Sequence, residues 1–465
     1  MLTLLAGIVP MQAQTMALSL DSCRSLAVSN NKELRMADSK QRAAYYERKA
    51  AFTKYFPRIS ATGGYMYTSK EVSLLSDEQK ETLGNLGTTI GALSPALGGM
   101  TDILNGVGNN LVDALHTDTR NMGGIGVMLT QPIYMGGKIA AYNRITGYAE
   151  HLAASQRDMT LQDIIVEVDE AYWRIVELQS KKKLAQGYFD LVSKLDSDVE
   201  KMISEGFATK ADGLSVKVKV NEARVSLIQV NNGLDISRML LCQLCGLDIN
   251  TPISLVDEKE DIEISDPVTV SADVNTALVH RPELNMLSLS SRISDEKIKL
   301  ARAEFLPTVA LSGGYLATNP NVFNSFERRM KGMWNVGVVV NIPLVTSGER
   351  FYKVKAARAE ADAAQFRLEE TREKVELQVN QNRQKVQEAA ERLATAHSSC
   401  EESDENLRYA RLGLQEGVIP VSNVLEAQTA WLKAHAERVS AQVDLRLANV
   451  YLLRSTGSIN INNNY

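Results

Sequence analysis

The chain has 465 residues, enough for about three average domains, yet its composition is even and no long Pro/Ser/Gly linker divides it. A net charge of −5 leaves no electrostatic footprint for a polyanion, which argues against nucleic acid as a partner. Aromatic residues make up only 6% while Ala, Leu, Glu, Gln and Lys abound, a mixture that favours long helices over a thick globular core.

Met1–Pro10 is apolar, and Met11–Gln14 is short and polar with a small residue at Ala13. Residues 1–14 therefore resemble the later part of a secretory signal peptide, and export is expected. Cys23 follows Leu-Ser-Leu-Asp-Ser, which is not a lipid-attachment sequence, so no lipid anchor is expected. Nothing further along approaches the ~18 apolar residues of a spanning helix, so any membrane crossing must be made by strands.

The first strand is expected at about 58–68, with Ile59, Ala61, Gly63, Tyr65 and Tyr67 on one face. A Gly/Ser/Leu-rich loop, 69–122, separates it from a second strand at about 123–133; the loop's own fold is left open by its composition. From Lys138 to Ile203 the pattern is helical: Leu161, Ile165, Val168, Tyr172 and Ile175 step by four and three, as in a coiled coil. Such a helix is roughly 100 Å long, a stave rather than part of a compact core. A returning helix is expected over 210–246, including Val216-Lys-Val-Lys-Val220, which alternates like a strand but sits in a longer helical register. The Cys242-Gln-Leu-Cys245 spacing lies inside the apolar run MLLCQLCGL and reads as two small helix residues. The acidic segment 247–271 breaks the helices and is expected to contribute to a collar. Strands follow at about 308–317 and 334–343, then helices at 349–414 and 420–456, and a tail at 459–465. Pro57, Pro132, Pro307 and Pro343 are expected at the inner ends of the four strands, where a missing ladder donor stops the sheet.

These elements repeat. At an offset of 250 residues Pro57 matches Pro307, and Gly63-Gly64-Tyr65 matches Gly313-Gly314-Tyr315. At an offset of 211, Gly137 matches Gly348, Glu205-Gly206 matches Glu416-Gly417, and Gly246 matches Gly457. The chain thus reads as two copies of one unit, 18–246 and 272–458. Four alternating strands of membrane-spanning length cannot close a barrel, and an open edge in lipid is prohibitive, so several chains must share one barrel.

Duplicated strands, long antiparallel helices and a glycine turn in each half together resemble the TolC family of outer-membrane efflux ducts. The turns are Glu205-Gly-Phe-Ala-Thr-Lys-Ala-Asp212-Gly-Leu214 and Glu416-Gly-Val-Ile-Pro-Val-Ser-Asn-Val-Leu-Glu426-Ala427. The resemblance implies an α+β membrane protein: a homotrimer with a 12-stranded barrel in outer-membrane lipid, four strands from each protomer, and coiled-coil helices forming a periplasmic tunnel. It implies a duct in the outer membrane of a Gram-negative bacterium, joined by a periplasmic adaptor to an inner-membrane transporter of the RND or ABC class. No cofactor, metal or catalytic group is implied. By position in the family, pore-constriction candidates fall on Glu426, Asn423 and Asp212, of which Asn423 lacks the charge. The aromatic and basic partners of the family's tip lock appear as Leu414 and Ile419, so a different closing contact is expected. Gly206, Phe207, Ala208, Gly417, Val418 and Ile419 are the expected adaptor-docking tip.

Two other classes were weighed. Gly136-Gly-Lys-Ile139 lacks the first glycine and the Ser/Thr of a phosphate loop, and the five histidines show no metal spacing, so an enzyme is not expected. A periplasmic coiled-coil structural or adaptor protein would share the helices, but would have no use for four alternating strands.

Overall fold

The computed structural model describes residues 16–69, 75–115, 119–258, 273–323, 327–345 and 347–459. The expected signal segment, most of the acidic stretch and the tail beyond Ile459 lie outside these residues. In chain order the elements are β1 (Met16–Leu18), α1 (Leu20–Asn30), α2 (Lys32–Phe52), β2 (Arg58–Tyr67), α3 (Asp77–Gly84), α4 (Leu86–Leu93), α5 (Thr101–Ala114), β3 (Asn121–Met135), α6 (Lys138–Ser204), α7 (Lys210–Leu244), β4 (Ile253–Leu255), α8 (Val274–His280), α9 (Pro282–Arg302), β5 (Thr308–Asn319), β6 (Lys331–Asn341), α10 (Glu349–Gln415) and α11 (Val421–Thr456). The chain divides into two compact units. One comprises the residues up to Glu47, Thr146–Ser294 and those from Ala359 on; the other comprises Arg48–Ile145 and Asp295–Arg358.

The first unit is helical. In α10 the buried positions Ala361, Leu368, Val375, Val379, Asn382, Ala389, Leu393, Ala396, Cys400, Ser403, Leu407 and Ala410 recur in steps of seven, or of four and three. That is a strict 3.5-residue period, which winds helices into a left-handed seam one side chain wide. Val192, Leu195 and Val199 of α6 join Val216 of α7 and Val424 of α11 in one such seam. A thicker core forms where α1, α6 and α7 meet the short parallel pair β1–β4, around Leu18, Val168, Tyr172, Leu241 and Leu255. Sequence patterning gave no sign of that pair, because three-residue strands carry no period.

The second unit holds an antiparallel sheet in the order β2-β3-β5-β6. Pro57 and Pro307 immediately precede β2 and β5, and Pro343 follows β6. Pro132 departs from expectation: β3 runs three residues past it, to Met135. The sheet accommodates it with a bulge between Pro132 and Tyr134 on the β5 side, while pairing with β2 has already ended at Thr130. Where the β2 ladder is missing, the Gln131 side chain donates to the Tyr55 carbonyl at 2.8 Å. A proline needs a bulge or an unpaired edge, and here it has both.

The 69–122 loop contains three helices. Ser76 and Gln79 form a capping box at the start of α3. Asn105 of α5 accepts from the Gly87 and Thr88 amides at 2.7 and 3.2 Å, closing the start of α4. The helices touch through glycine: a Cβ on Gly108 would lie 1.8 Å from the Leu83 carbonyl oxygen.

Candidate functional site

The register of the sheet fixes which residues share a face. Ile59 opposes Leu129 and Leu129 opposes Gly313, while Val127 opposes Tyr315 and Tyr315 opposes Trp334. Continuing by twos, this face carries Ile59, Tyr65, Ile125, Val127, Tyr315, Trp334, Val336 and Val338. The opposite face carries Arg58, Ser60, Thr62, Thr130, Ser312, Thr318, Asn335 and Asn341, with Gly64, Gly126 and Gly314 between them and with Met66, Met128, Leu316, Met333 and Val339 interspersed. In the single chain Trp334 is 74% exposed, and both β2 and β6 are exposed along their whole length. Soluble monomers rarely leave a large apolar sheet face in water; such a face marks a membrane or protein contact. An apolar face backed by a more polar, glycine-containing one suits a boundary between hydrocarbon and water, and strands of 10 to 15 residues are long enough to span a bilayer. Among the described residues neither outer strand, β2 or β6, has a partner on its outer edge. Among the described residues no helix is long and apolar enough to cross a membrane.

The other sequence-predicted residues lie at the two helix turns. After α6 the Gly206 amide donates to Ile203 O and Phe207 N to Met202 O; after α10 Gly417 N donates to Leu414 O and Val418 N to Gly413 O. These are Schellman closures, and the left-handed backbone they demand, φ 84° and 72°, suits glycine. Both turns present an apolar side chain at the same place: Phe207 and Val418 are each 79% exposed. Ala208 and Ile419 are half-buried, with Ile419 folded against Gly413. Asp212 joins the cap of α7, accepting from Thr209 N at 2.9 Å while Thr209 Oγ1 accepts from Asp212 N at 3.2 Å. Those hydrogen bonds from Thr209 hold its carboxyl below the usual range. Asn423 and Glu426 are one helical turn apart on the exposed face of α11, whose other face buries Val421, Val424 and Leu425.

The sequence model of the family described as "Outer membrane efflux protein" matches residues 23–247 and 274–458. The chain belongs to that family. Among curated relatives, the alkaline protease secretion protein AprF of Pseudomonas aeruginosa is 23% identical over 321 residues, 68% of this chain and 66% of its own length. Protein CyaE of Bordetella pertussis is 24% identical over 66% of this chain and 65% of its own length. The chain thus spans just under two thirds of the length of each. The CmeC outer membrane channel of Campylobacter jejuni has the same fold, with a TM-score of 0.75 at 14% identity over 96% of this chain and 87% of that one. As an outer membrane efflux family member, the chain resides in the outer membrane.

Family membership gives the buried polar groups of the helical unit their setting, and none of them could be read from sequence. Arg24 of α1 and Asp169 of α6 form a bidentate pair, Nε to Oδ1 and Nη2 to Oδ2 each 2.7 Å, with both side chains wholly buried. Tyr172 donates its hydroxyl to Asp257. Glu177 gathers Lys181 at 2.6 Å, Arg174 at 2.8 Å and Ser440 of α11 at 3.0 Å. Burial pushes Glu177 up, but Lys181, Arg174 and Ser440 outweigh it and hold the carboxyl below its ordinary range. Glu283 is held down in the same way, against burial, by Arg454 and Arg281. A cavity of about 900 Å3 between α2, α6, α7 and α11 is lined by Glu33, Glu167 and Glu170, where burial and then the crowded carboxylates push Glu167 up. Among the described residues no three His, Cys, Asp or Glu side chains are grouped to hold a metal ion.

Proposed function

We propose that the chain is one protomer of a homotrimeric outer-membrane duct of an efflux or type I secretion system. It would pass substrate from an inner-membrane RND or ABC transporter, through a periplasmic adaptor, to the outside. The observation that carries this reading is the four-stranded, two-faced sheet with open edges on β2 and β6. Three copies would supply twelve strands, and pairing β2 of one copy with β6 of the next removes every edge. The helical unit lies in the periplasm on this reading. An exposed apolar row on α7, including Leu214, Val218, Val225 and Ile236, would pack against a neighbouring copy. The name of AprF points to protein secretion and that of CmeC to a channel, and both fit a duct whose cargo is chosen elsewhere.

An internal duplication, 18–246 and 272–458, accounts for the matching backbone. Gly137 and Gly348, Gly206 and Gly417, and Gly246 and Gly457 all have positive φ. The turns at Gly206 and Gly417, with exposed Phe207 and Val418, form the docking tip for the adaptor. At the entrance, three copies of Glu426 would favour cations, beside Asn423; Asp212, committed to the α7 cap, serves the turn first.

Cell fractionation followed by mass determination in mild detergent tests the reading. A trimer of the 51.2 kDa chain in the outer-membrane fraction is expected. A soluble monomer or dimer would return the coiled-coil adaptor to first place. For the entrance, Glu426→Ala is expected to raise single-channel conductance and weaken cation selectivity in planar bilayers; unchanged values would remove Glu426 from the constriction.

A further inference from the structure

The chain has four cysteines, and three of them, Cys23, Cys242 and Cys245, share one buried core. Cys400 lies apart, in the seam of α10. Cys23 sits in the first turns of α1 and Cys245 caps the end of α7, two elements far apart in sequence. The Cys245 thiol donates to the carbonyl oxygen of Cys23 at 3.6 Å, which sets the two cysteines side by side in the core. The Cys245 thiol beside it, and then burial, push Cys23 up, while the contact with Cys23 draws Cys245 down against its own burial. Cys242 is directed elsewhere: its thiol donates to the Thr251 carbonyl at 3.6 Å.

Thiols kept in contact stay reduced in a cytosolic protein, where glutathione and thioredoxin maintain them. An outer-membrane protein instead folds after export, in the periplasm, where disulfides form and persist. We propose that Cys23 and Cys245 are joined by a disulfide in the exported protein, while Cys242 and Cys400 remain thiols. The bond forms as the chain folds, before the core closes over it. One cysteine thiolate attacks the disulfide of a periplasmic thiol oxidant and expels one oxidant sulfur as a thiolate. The second cysteine then attacks the mixed disulfide, forming the Cys23–Cys245 bond and releasing the oxidant as a dithiol. Two electrons and two protons pass from the chain to the oxidant. The bridge fastens α1 to the end of α7 across a span of 222 residues, a long loop whose closure restricts the unfolded chain.

The test uses full-length protein from the outer-membrane fraction. Cells are lysed in denaturant with N-ethylmaleimide and no reductant, and cysteine peptides are mapped by mass spectrometry. Expected are alkylated Cys242 and Cys400, and a linked pair of peptides carrying Cys23 and Cys245 that separates on reduction. Alkylation of Cys23 and Cys245 without reduction overturns the proposal, as does a bridge made by Cys242. Cys242→Ala is expected to keep the link, and its loss there would equally overturn the assignment. Cys23→Ala is expected to free Cys245 for alkylation, in whatever quantity the variant accumulates.

Discussion

The core around Tyr172 and the four-stranded sheet face the same requirement, removal of apolar surface from water, and meet it from opposite directions. Around Tyr172 the chain supplies both sides of each contact: Leu18, Val168, Leu241 and Leu255 lie at 2% exposure or less, and the buried Asp169 finds the equally buried Arg24 within the same unit. In the sheet the chain supplies one side only. Trp334, Val336 and Val338 are mostly exposed, and among the described residues no second layer covers them. The first region specifies itself; the second specifies its surroundings, apolar on one face and aqueous on the other.

The largest expected effect is in the self-sufficient region. Asp169→Ala leaves Arg24 charged and buried without its bidentate partner, with the longer contact to the half-exposed Asp21 at 3.5 Å remaining, a loss of about 3–5 kcal/mol. It should appear as a lower urea midpoint of the helical circular dichroism signal. If the double variant Arg24→Met with Asp169→Leu recovers most of that loss, the pair is a packing problem solved with charge; no recovery would show that the pair does something hydrophobic side chains cannot replace.

Next comes the sheet, where the two faces should respond oppositely. Val336→Arg puts a charge on the apolar face and is expected to cost about 2–4 kcal/mol near the bilayer midplane, seen as reduced recovery from the outer-membrane fraction. Asn335→Arg, one residue away on the polar face, should be recovered normally. Equal loss from both would break the distinction between the faces.

Smaller again are the turns, which belong to neither case because their backbone is satisfied locally and their side chains are exposed. Gly417→Ala forces a Cβ into a left-handed conformation and should cost about 1–2 kcal/mol. Thr209→Ala removes the first turn's cap, at about 1 kcal/mol, read as faster hydrogen exchange in the first turn of α7. The second turn has no such sensitivity, because Pro420 starts α11 without a side-chain cap.

The mildest effect is with pH. Glu177 and Glu283 titrate below their unfolded value, so their contribution is complete above about pH 4.3 and is lost as pH falls through the depressed folded values. The urea midpoint should fall on acidification through that window, and Glu177→Gln should flatten the slope.

What could be read from sequence follows the same division. The strands and the long helices declare themselves because each satisfies a period over many residues: two for Trp334 to Val340, and three and a half along α10. The turns declare themselves through glycines that a helix end requires. The Arg24–Asp169 pair joins residues 145 apart and leaves no local trace. The helices of 75–115 were hidden because Gly84, Gly87, Gly91, Gly106 and Gly108 read as loop, whereas some of them are there to let helices touch. Asp212 was placed by family position at the constriction, yet Thr209 three residues earlier was the available sign of a capping box. Sequence alone makes Pro132 a terminator, because an unpaired stretch and a bulge are properties of the neighbours, β2 and β5.

The open edges on β2 and β6 carry a consequence for abundance. On the proposed trimeric reading the sheet is completed only by other chains and has no finished form in isolation, so its persistence depends on how often chains meet. Halving the number of chains delivered to the membrane should then reduce the assembled population more than twofold. The unassembled remainder keeps its bare strand edges and stays open to proteolysis and to wrong partners. On that reading, how much is made is part of whether the sheet is ever completed.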